Sequence, residues 1–184
     1  MGKRIWGALV LGLFVTTATL ADIGDWKTFT NMSQVRDFIL NGDEIWCATN
    51  GGVLMYDIRK RAFTKFTNTE GLADNDVSTV EIDKYGDIWF GLMDGRINRL
   101  NRQNKSWDLI DDFKGFAINE LVARGDTLFV GSDIGVSVYI ISRQEVKETY
   151  KNLGRFQVEI PVQSIFIHSK DIWVGTEYGI AKSN

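Results

Sequence analysis

The sequence predicts an all-β fold built by repetition, and three observations carry the prediction. An aromatic anchor recurs at Trp46, Trp89, Phe129 and Trp173, at steps of 43, 40 and 44 residues. A glycine stands six residues after each anchor, at Gly52, Gly95, Gly135 and Gly179. An apolar run precedes each anchor, opening at Val35, Val77, Ile118 and Val162 and closing at Leu40, Ile82, Ala123 and Ile167.

Each unit divides into four short strands. The apolar run is the first, and it ends in a turn: Asn41-Gly42, Tyr85-Gly86, Arg124-Gly125-Asp126 and Ser169-Lys170. The anchor belongs to the second, which carries a small residue two places on: Ala48, Gly91, Gly131 and Gly175. The third follows the conserved-spacing glycine. The fourth recurs as Phe63–Phe66, Trp107–Ile110 and Val146–Thr149, and a matching copy, Trp26–Phe29, stands ahead of the first unit. Short runs rich in Val, Ile, Phe, Trp and Thr between Gly, Asn and Asp turns read as strands. No stretch beyond the first twenty or so residues has a helical period with caps.

A period of roughly 40–45 residues with four strands per unit marks a β-propeller blade. The expected fold is therefore a propeller of four-stranded antiparallel blades. About three and a half to four are present, at residues 35–67, 77–110, 118–150 and 162–184. One such sheet is apolar on both faces, and stacking against neighbours is what covers them. The anchors should wedge between blades as large buried side chains. The small residue at +2 lets strands crowd near the axis, and the +6 glycine supplies a turn that a Cβ would resist. The first strand, lacking charge at its apolar positions, should lie nearest the axis.

The start of the chain reads as an address. Lys3 and Arg4 precede an apolar stretch to about Leu20, and Thr19-Leu20-Ala21 ends it with small residues. This is the pattern of a secretory signal peptide over residues 1–21, with the blades filling 22–184. Cleavage would shift the net charge from −3 to −5. The stretch is short for a bilayer span and no other run is apolar enough, so no membrane insertion is expected after cleavage. Export to the periplasm or cell surface of a bacterium follows.

Composition excludes several kinds of chemistry. A weakly acidic chain with no long basic run is not expected to bind nucleic acid. Arg59-Lys60-Arg61 is too short a cluster for that and reads as a solvated turn. One His and one Cys leave little for a metal site or a catalytic triad. His168 sits at a turn, and Cys47 falls where the other units have Phe90, Val130 and Val174, as a small buried hydrophobe would. Asp83 and Asp87 flank Gly86 without the alternating oxygens of a calcium loop. Gly71 has no helix after it to cradle phosphate. No catalytic residue, metal or cofactor is assigned.

The units resemble the repeats called two-component regulator propellers. Gly71-Leu-Ala-Asp-Asn75-Asp-Val77 followed by Ile82-Asp-Lys-Tyr-Gly-Asp-Ile-Trp89-Phe-Gly91 carries the resemblance best. Asn50-Gly51-Gly52-Val53 with Tyr56-Asp57, then Phe66-Thr67 and Gly71-Leu72, has the same cadence. So does Ile172-Trp-Val-Gly-Thr-Glu-Tyr-Gly-Ile180. The resemblance covers about residues 26–184. It implies an exported propeller of the kind that senses ligands for hybrid histidine kinases, or a secreted accessory propeller linked to type IX secretion. A downstream kinase or a secretion component is then the implied partner. Phe129 departs from the anchor Trp, and unit two has one extra residue before Trp89 and one after Gly95.

In such a fold, loops between strands two and three, and between blades, open on one face around the axis, where binding usually lies. They carry Asn50, Asp74, Asn75, Asp94, Asp133, Glu177 and Tyr178, which are the candidate ligand-binding residues, with Asp111, Asp112 and Lys114 beside them. Such a polar, rather acidic face suits a carbohydrate-like ligand or a protein surface better than an anion. The leading expectation is a non-catalytic propeller that binds there. The alternatives are a lyase or hydrolase, since Gly86-Asp-Ile-Trp-Phe-Gly with Gly95–Leu100 also resembles streptogramin-type lyase repeats, and a purely structural scaffold. The fourth unit ends after its third strand. It reads as part of an N-terminal fragment of a larger propeller, or as a ring of four closed by Trp26–Thr30.

Overall fold

A computed structural model describes residues 32–156 and 159–183. The leader expected over residues 1–21 and the strand copy at Trp26–Thr30 lie outside the described residues. Blade 1 comprises β1 (Val35–Asn41), β2 (Glu44–Thr49), β3 (Gly52–Asp57) and β4 (Ala62–Phe66). Blade 2 comprises β5 (Val77–Ile82), β6 (Ile88–Leu92), β7 (Ile97–Asn101) and β8 (Ser106–Ile110). Blade 3 comprises β9 (Ile118–Arg124), β10 (Thr127–Ser132), β11 (Gly135–Ile140) and β12 (Glu145–Tyr150). Blade 4 comprises β13 (Val162–His168), β14 (Asp171–Thr176) and β15 (Gly179–Lys182).

Every sheet is antiparallel and ordered as the chain runs. The fold is a β-propeller, with three four-stranded blades and a fourth of three strands among the described residues. The first strands β1, β5, β9 and β13 touch one another in succession, so they form the inner wall.

Blades 2 and 3 each bury one face against the blade before and one against the blade after, while blades 1 and 4 bury one face each. Trp46, Ala48 and Val53 of blade 1 pack on Val77, Val80, Ile88, Phe90 and Leu92 of blade 2. Trp89, Ile97 and Ile110 of blade 2 pack on Ile118, Leu121, Leu128 and Val130 of blade 3. Blade 3 meets blade 4 through Val136 and Leu153 against Val162, Ile165 and Val174. Each fully buried aliphatic or aromatic side chain contributes about 1.5–3 kcal/mol relative to exposure.

The anchors follow this logic. Trp46 and Trp89 are buried, Phe129 is half-buried, and Trp173 is 38% exposed because its face is the outer face of blade 4. At the other end of the arc, Phe38 and Leu40 of blade 1 are exposed. Cys47 shares that face and is half-buried, unlike Phe90 and Val130, which are fully covered by the preceding blade. Partial burial and the Asp37 carboxylate still push its thiol pKa up.

The small residues have a sharper role than crowding. A Cβ on Gly91 would meet Ile118 of the next blade at 2.6 Å, and one on Gly131 would meet Val162 at 2.8 Å. The +6 glycines all hold positive φ, between 89° and 131°. At Gly52 and Gly135 a Cβ would strike the backbone oxygen of Phe66 or Tyr150, at 2.4 and 2.1 Å. Both oxygens belong to the fourth strand of the same blade.

Candidate functional site

The loops between strands two and three share one face with the loops between blades, and backbone bonds lock them together. Asn50 N donates to Gln34 O, Met93 N to Asp76 O, Gly115 N to Asp94 O and Asp133 N to Ala117 O. A bulge in each first strand lies at the rim of this face. Arg36, Ser78, Asn119 and Gln163 are skipped by the pairing register. Such an extra residue bends the strand and re-aims its side chain. Arg36 donates to Asp76 at 2.6 Å and to Val77 O at 3.2 Å, and Ser78 donates to Ile118 O, so two bulges stitch one blade to the next. Asn119 turns to Asp133, donating at 3.0 Å.

Most of the candidate residues are already engaged in this frame. Asn50 accepts from Gln34 N at 3.3 Å. Asn75 accepts from Asn68 N at 2.8 Å, and Asp74 from Asp76 N at 3.0 Å. Asp133 accepts from Ala117 N at 3.3 Å as well as from Asn119. Arg96 draws two candidates together: it pairs with Asp94 through Nε at 2.6 Å and lies 3.6 Å from Asp74. Burial opposes ionisation of Asp94, but the bonds and charge of Arg96 outweigh it and hold the carboxyl below its ordinary range. Glu177 and Tyr178 sit apart on blade 4, both exposed, and the Glu177 carboxylate pushes the Tyr178 phenol pKa up.

The face is thus less acidic than its loops suggest, because Arg36 and Arg96 answer Asp76, Asp74 and Asp94. Neither arginine was legible as a site residue. Arg36 lies within a strand, 40 residues from its partner Asp76, and Arg96 just before one, so no sequence signal marked them.

A second polar group lines the inner wall. Asp37 of β1 accepts from Thr79 Oγ1 and Val80 N of blade 2, both at 2.9 Å. Glu81 of β5 accepts from Ala123 N of blade 3 at 3.3 Å. Burial raises the pKa of Glu81. Burial, with the charges of Asp37 and Glu81, raises that of Glu120 to about 7. These acids alternate with the apolar positions of the first strands.

The remaining flagged residues serve structure. Asp83 and Asp87 are buried. Asp83 accepts from Trp89 Nε1 at 2.9 Å and from Tyr85 N at 2.8 Å, and Asp87 accepts from Arg99 Nε at 3.0 Å. His168 is exposed at the end of β13, opposite Asp171. Arg59 and Lys60 pair with Asp43 and Asp57 at an exposed turn. Among the described residues no three Asp, Glu, His or Cys side chains converge as a metal set.

Residues 71–94, which run from Gly71 through β5 and β6 to Asp94, match the family model described as two component regulator propeller. The matched stretch is the length of a single repeat. That repeat contains Asp74, Asn75 and Asp94 of the loop face. No curated protein matches the chain.

Solved structures share the fold. The extracellular domain of a putative hybrid two component system from B. thetaiotaomicron is similar with a TM-score of 0.60 and 20% identity, over 82% of this chain and 27% of that one. PorZ, a surface component of the type-IX secretion system of Porphyromonas gingivalis, is similar with a TM-score of 0.63 and 14% identity, over 83% of this chain and 21% of that one. The computationally designed Ika4 protein gives a TM-score of 0.68 and 12% identity, over 82% of this chain and 91% of that one. The chain spans about a quarter of the length of the two natural structures.

Proposed function

We propose that this chain is an exported, non-catalytic propeller module that binds a ligand or protein partner on its loop face. It would serve a two-component-type sensor or a secretion accessory. The observation that supports this most is the convergence of the regulator-propeller repeat with a pre-organised polar face. Asp74 and Asp94 share Arg96, Arg36 holds Asp76, and Asp133 is fixed by two donors. Rigid acceptors beside guanidinium donors suit a hydroxyl-rich ligand such as an oligosaccharide, since the face need not reorganise on binding.

The test is a binding screen of the full chain against an array of neutral and acidic oligosaccharides, repeated with Asp94→Asn and Arg96→Gln. Binding lost in both variants, with an unchanged melting profile, supports the reading. Binding that ignores both substitutions overturns the placement on this face.

One observation favours a second reading, a lyase or hydrolase. Glu120 titrates near 7, the range of a general base, on the inner wall. A turnover abolished in Glu120→Gln would support it.

A further inference from the structure

Two clefts open at the end of the strands opposite the loop face, where the turns after the first and third strands gather. One lies between blades 1 and 2, with a volume of about 460 Å³, and one between blades 2 and 3, of about 330 Å³. They are the same place in the repeat. By register and by distance from the anchors, Glu44 corresponds to Asp87, Asp57 to Asn101, Arg59 to Gln103 and Arg102 to Ile141.

The first cleft is closed by its own charges. Arg102 of blade 2 reaches across to Glu44 of blade 1 at 2.7 Å. Arg59 pairs with Asp43 at 2.6 Å and Lys60 with Asp57 at 2.7 Å. A ligand entering there has to break ion pairs.

The second cleft lacks that bridge. Ile141 stands where a guanidinium would reach across, and the uncharged Asn101 and Gln103 stand for Asp57 and Arg59. Its carboxylates are already bonded. Asp87 accepts from Arg99 Nε and from Arg102 N, both at 3.0 Å. Asp126, beside the rim, accepts from Ser142 Oγ at 2.5 Å and from the Tyr85 hydroxyl at 3.4 Å. What stays open is amide chemistry. Among the described residues the side-chain amides of Gln103 and Gln144 and the Nδ2 of Asn101 make no hydrogen bond. Arg99 Nη1 lies 3.9 Å from Asp108, too far for one. Gln103 comes from the β7–β8 turn and Gln144 from the β11–β12 turn, so each wall of the cleft carries an open amide. The Tyr85 ring, 54% exposed, adds an apolar side.

A primary amide presents both donors and an acceptor. A peptide group complements it, with one N–H and one C=O. Sugar hydroxyls gain most from charged acceptors, and those of this cleft are engaged. Arg99 and Asp87 cancel each other, so the walls favour neither an acidic nor a basic guest. The volume is at the lower end of ligand sites and fits a short stretch of extended chain, not a folded surface.

We propose that the cleft between blades 2 and 3 binds an uncharged peptide segment of a partner protein, with Gln103 and Gln144 pairing to its backbone amides and Tyr85 packing on an adjacent side chain. The site lies at the other end of the blades from the loop face, and it stands whatever that face binds.

The test presents the full chain to an array of random peptides, acetylated at one end and amidated at the other, with a neutral oligosaccharide array beside it. Peptides are expected to bind and to shift the side-chain amide NMR signals of Gln103 and Gln144. Both glutamines are exposed turn residues, so Gln103→Ala and Gln144→Ala should leave the melting profile unchanged. Each should weaken peptide binding about three- to tenfold, the worth of one hydrogen bond. Asn41→Ala, in the first cleft, should leave it as it was. The absence of any bound peptide overturns the proposal, as does peptide binding that ignores both glutamine substitutions. So does a shift of those two amide signals by oligosaccharides and not by peptides.

Discussion

The indole N–H of Trp89 donates to the Asp83 carboxylate at 2.9 Å, and both side chains are buried. The same carboxylate accepts from the backbone of Tyr85 and Asp87, so one acid holds the β5–β6 turn and the wedge between blades 2 and 3. Arg99 lies over the Trp89 ring at 5.2 Å and bonds to Asp87, which completes the cluster. Anchor and turn are therefore one device.

Trp89→Phe should keep most of the packing but leave the buried Asp83 Oδ2 without its indole donor. A cost of about 1–3 kcal/mol is expected. Trp89→Ala adds a cavity and should cost about 3–5 kcal/mol. Urea denaturation of the two variants measures the difference.

Gly135→Ala should be far worse than Gly42→Ala. Gly135 holds φ at 126° with the Tyr150 oxygen 2.1 Å from a would-be Cβ, whereas Gly42 has φ 63° and open space. The left-handed penalty alone is about 1–2 kcal/mol, and the backbone clash should bring Gly135→Ala above about 3 kcal/mol. Thermal melting of both variants checks the order.

Glu120 ties stability to pH. Its folded pKa, about 7, lies above the unfolded value of a glutamate, so the folded state binds the extra proton. Its contribution should be intact below about pH 4 and decline as pH rises to 7, then level off. Glu120→Gln should abolish that slope, matching the unaltered chain at pH 4.5 and exceeding it at pH 8. Unfolding curves across this range read the effect directly.

Arg96→Ala should release both Asp74 and Asp94. The carboxyl pKa of Asp94 should rise, as seen by NMR titration, because burial then acts without the opposing guanidinium. The pair is partly solvated, so the fold should lose no more than about 1 kcal/mol.

Much of the architecture was legible because its causes are local and repeat. The aromatic anchor, the small residue and the glycine recur at constant offsets, and all three do in the structure what strand and turn chemistry requires. Asp83 and Asp87 were readable as turn residues for the same reason. The loop face was only half legible. Asp94 and Asp133 were found as loop acids, but Arg96, Arg36 and Asn119, which bind them or their neighbours, announce nothing by spacing. The inner-wall acids Asp37, Glu81 and Glu120 were hidden between apolar positions. Their coupling depends on three blades meeting at the axis, with 44 and 39 residues of chain between successive acids.

From the residues alone came the repeating unit, the strand order within it and the places of the aromatic anchors, because hydrophobic period and turn chemistry act over a few residues. Tertiary structure decided which of these equivalent positions are covered. Trp46 and Trp173 hold the same place in their units, yet one is buried and the other open. Burial of a sheet face depends on a neighbour, and whether a neighbour stands there is not a property of the strand that needs it.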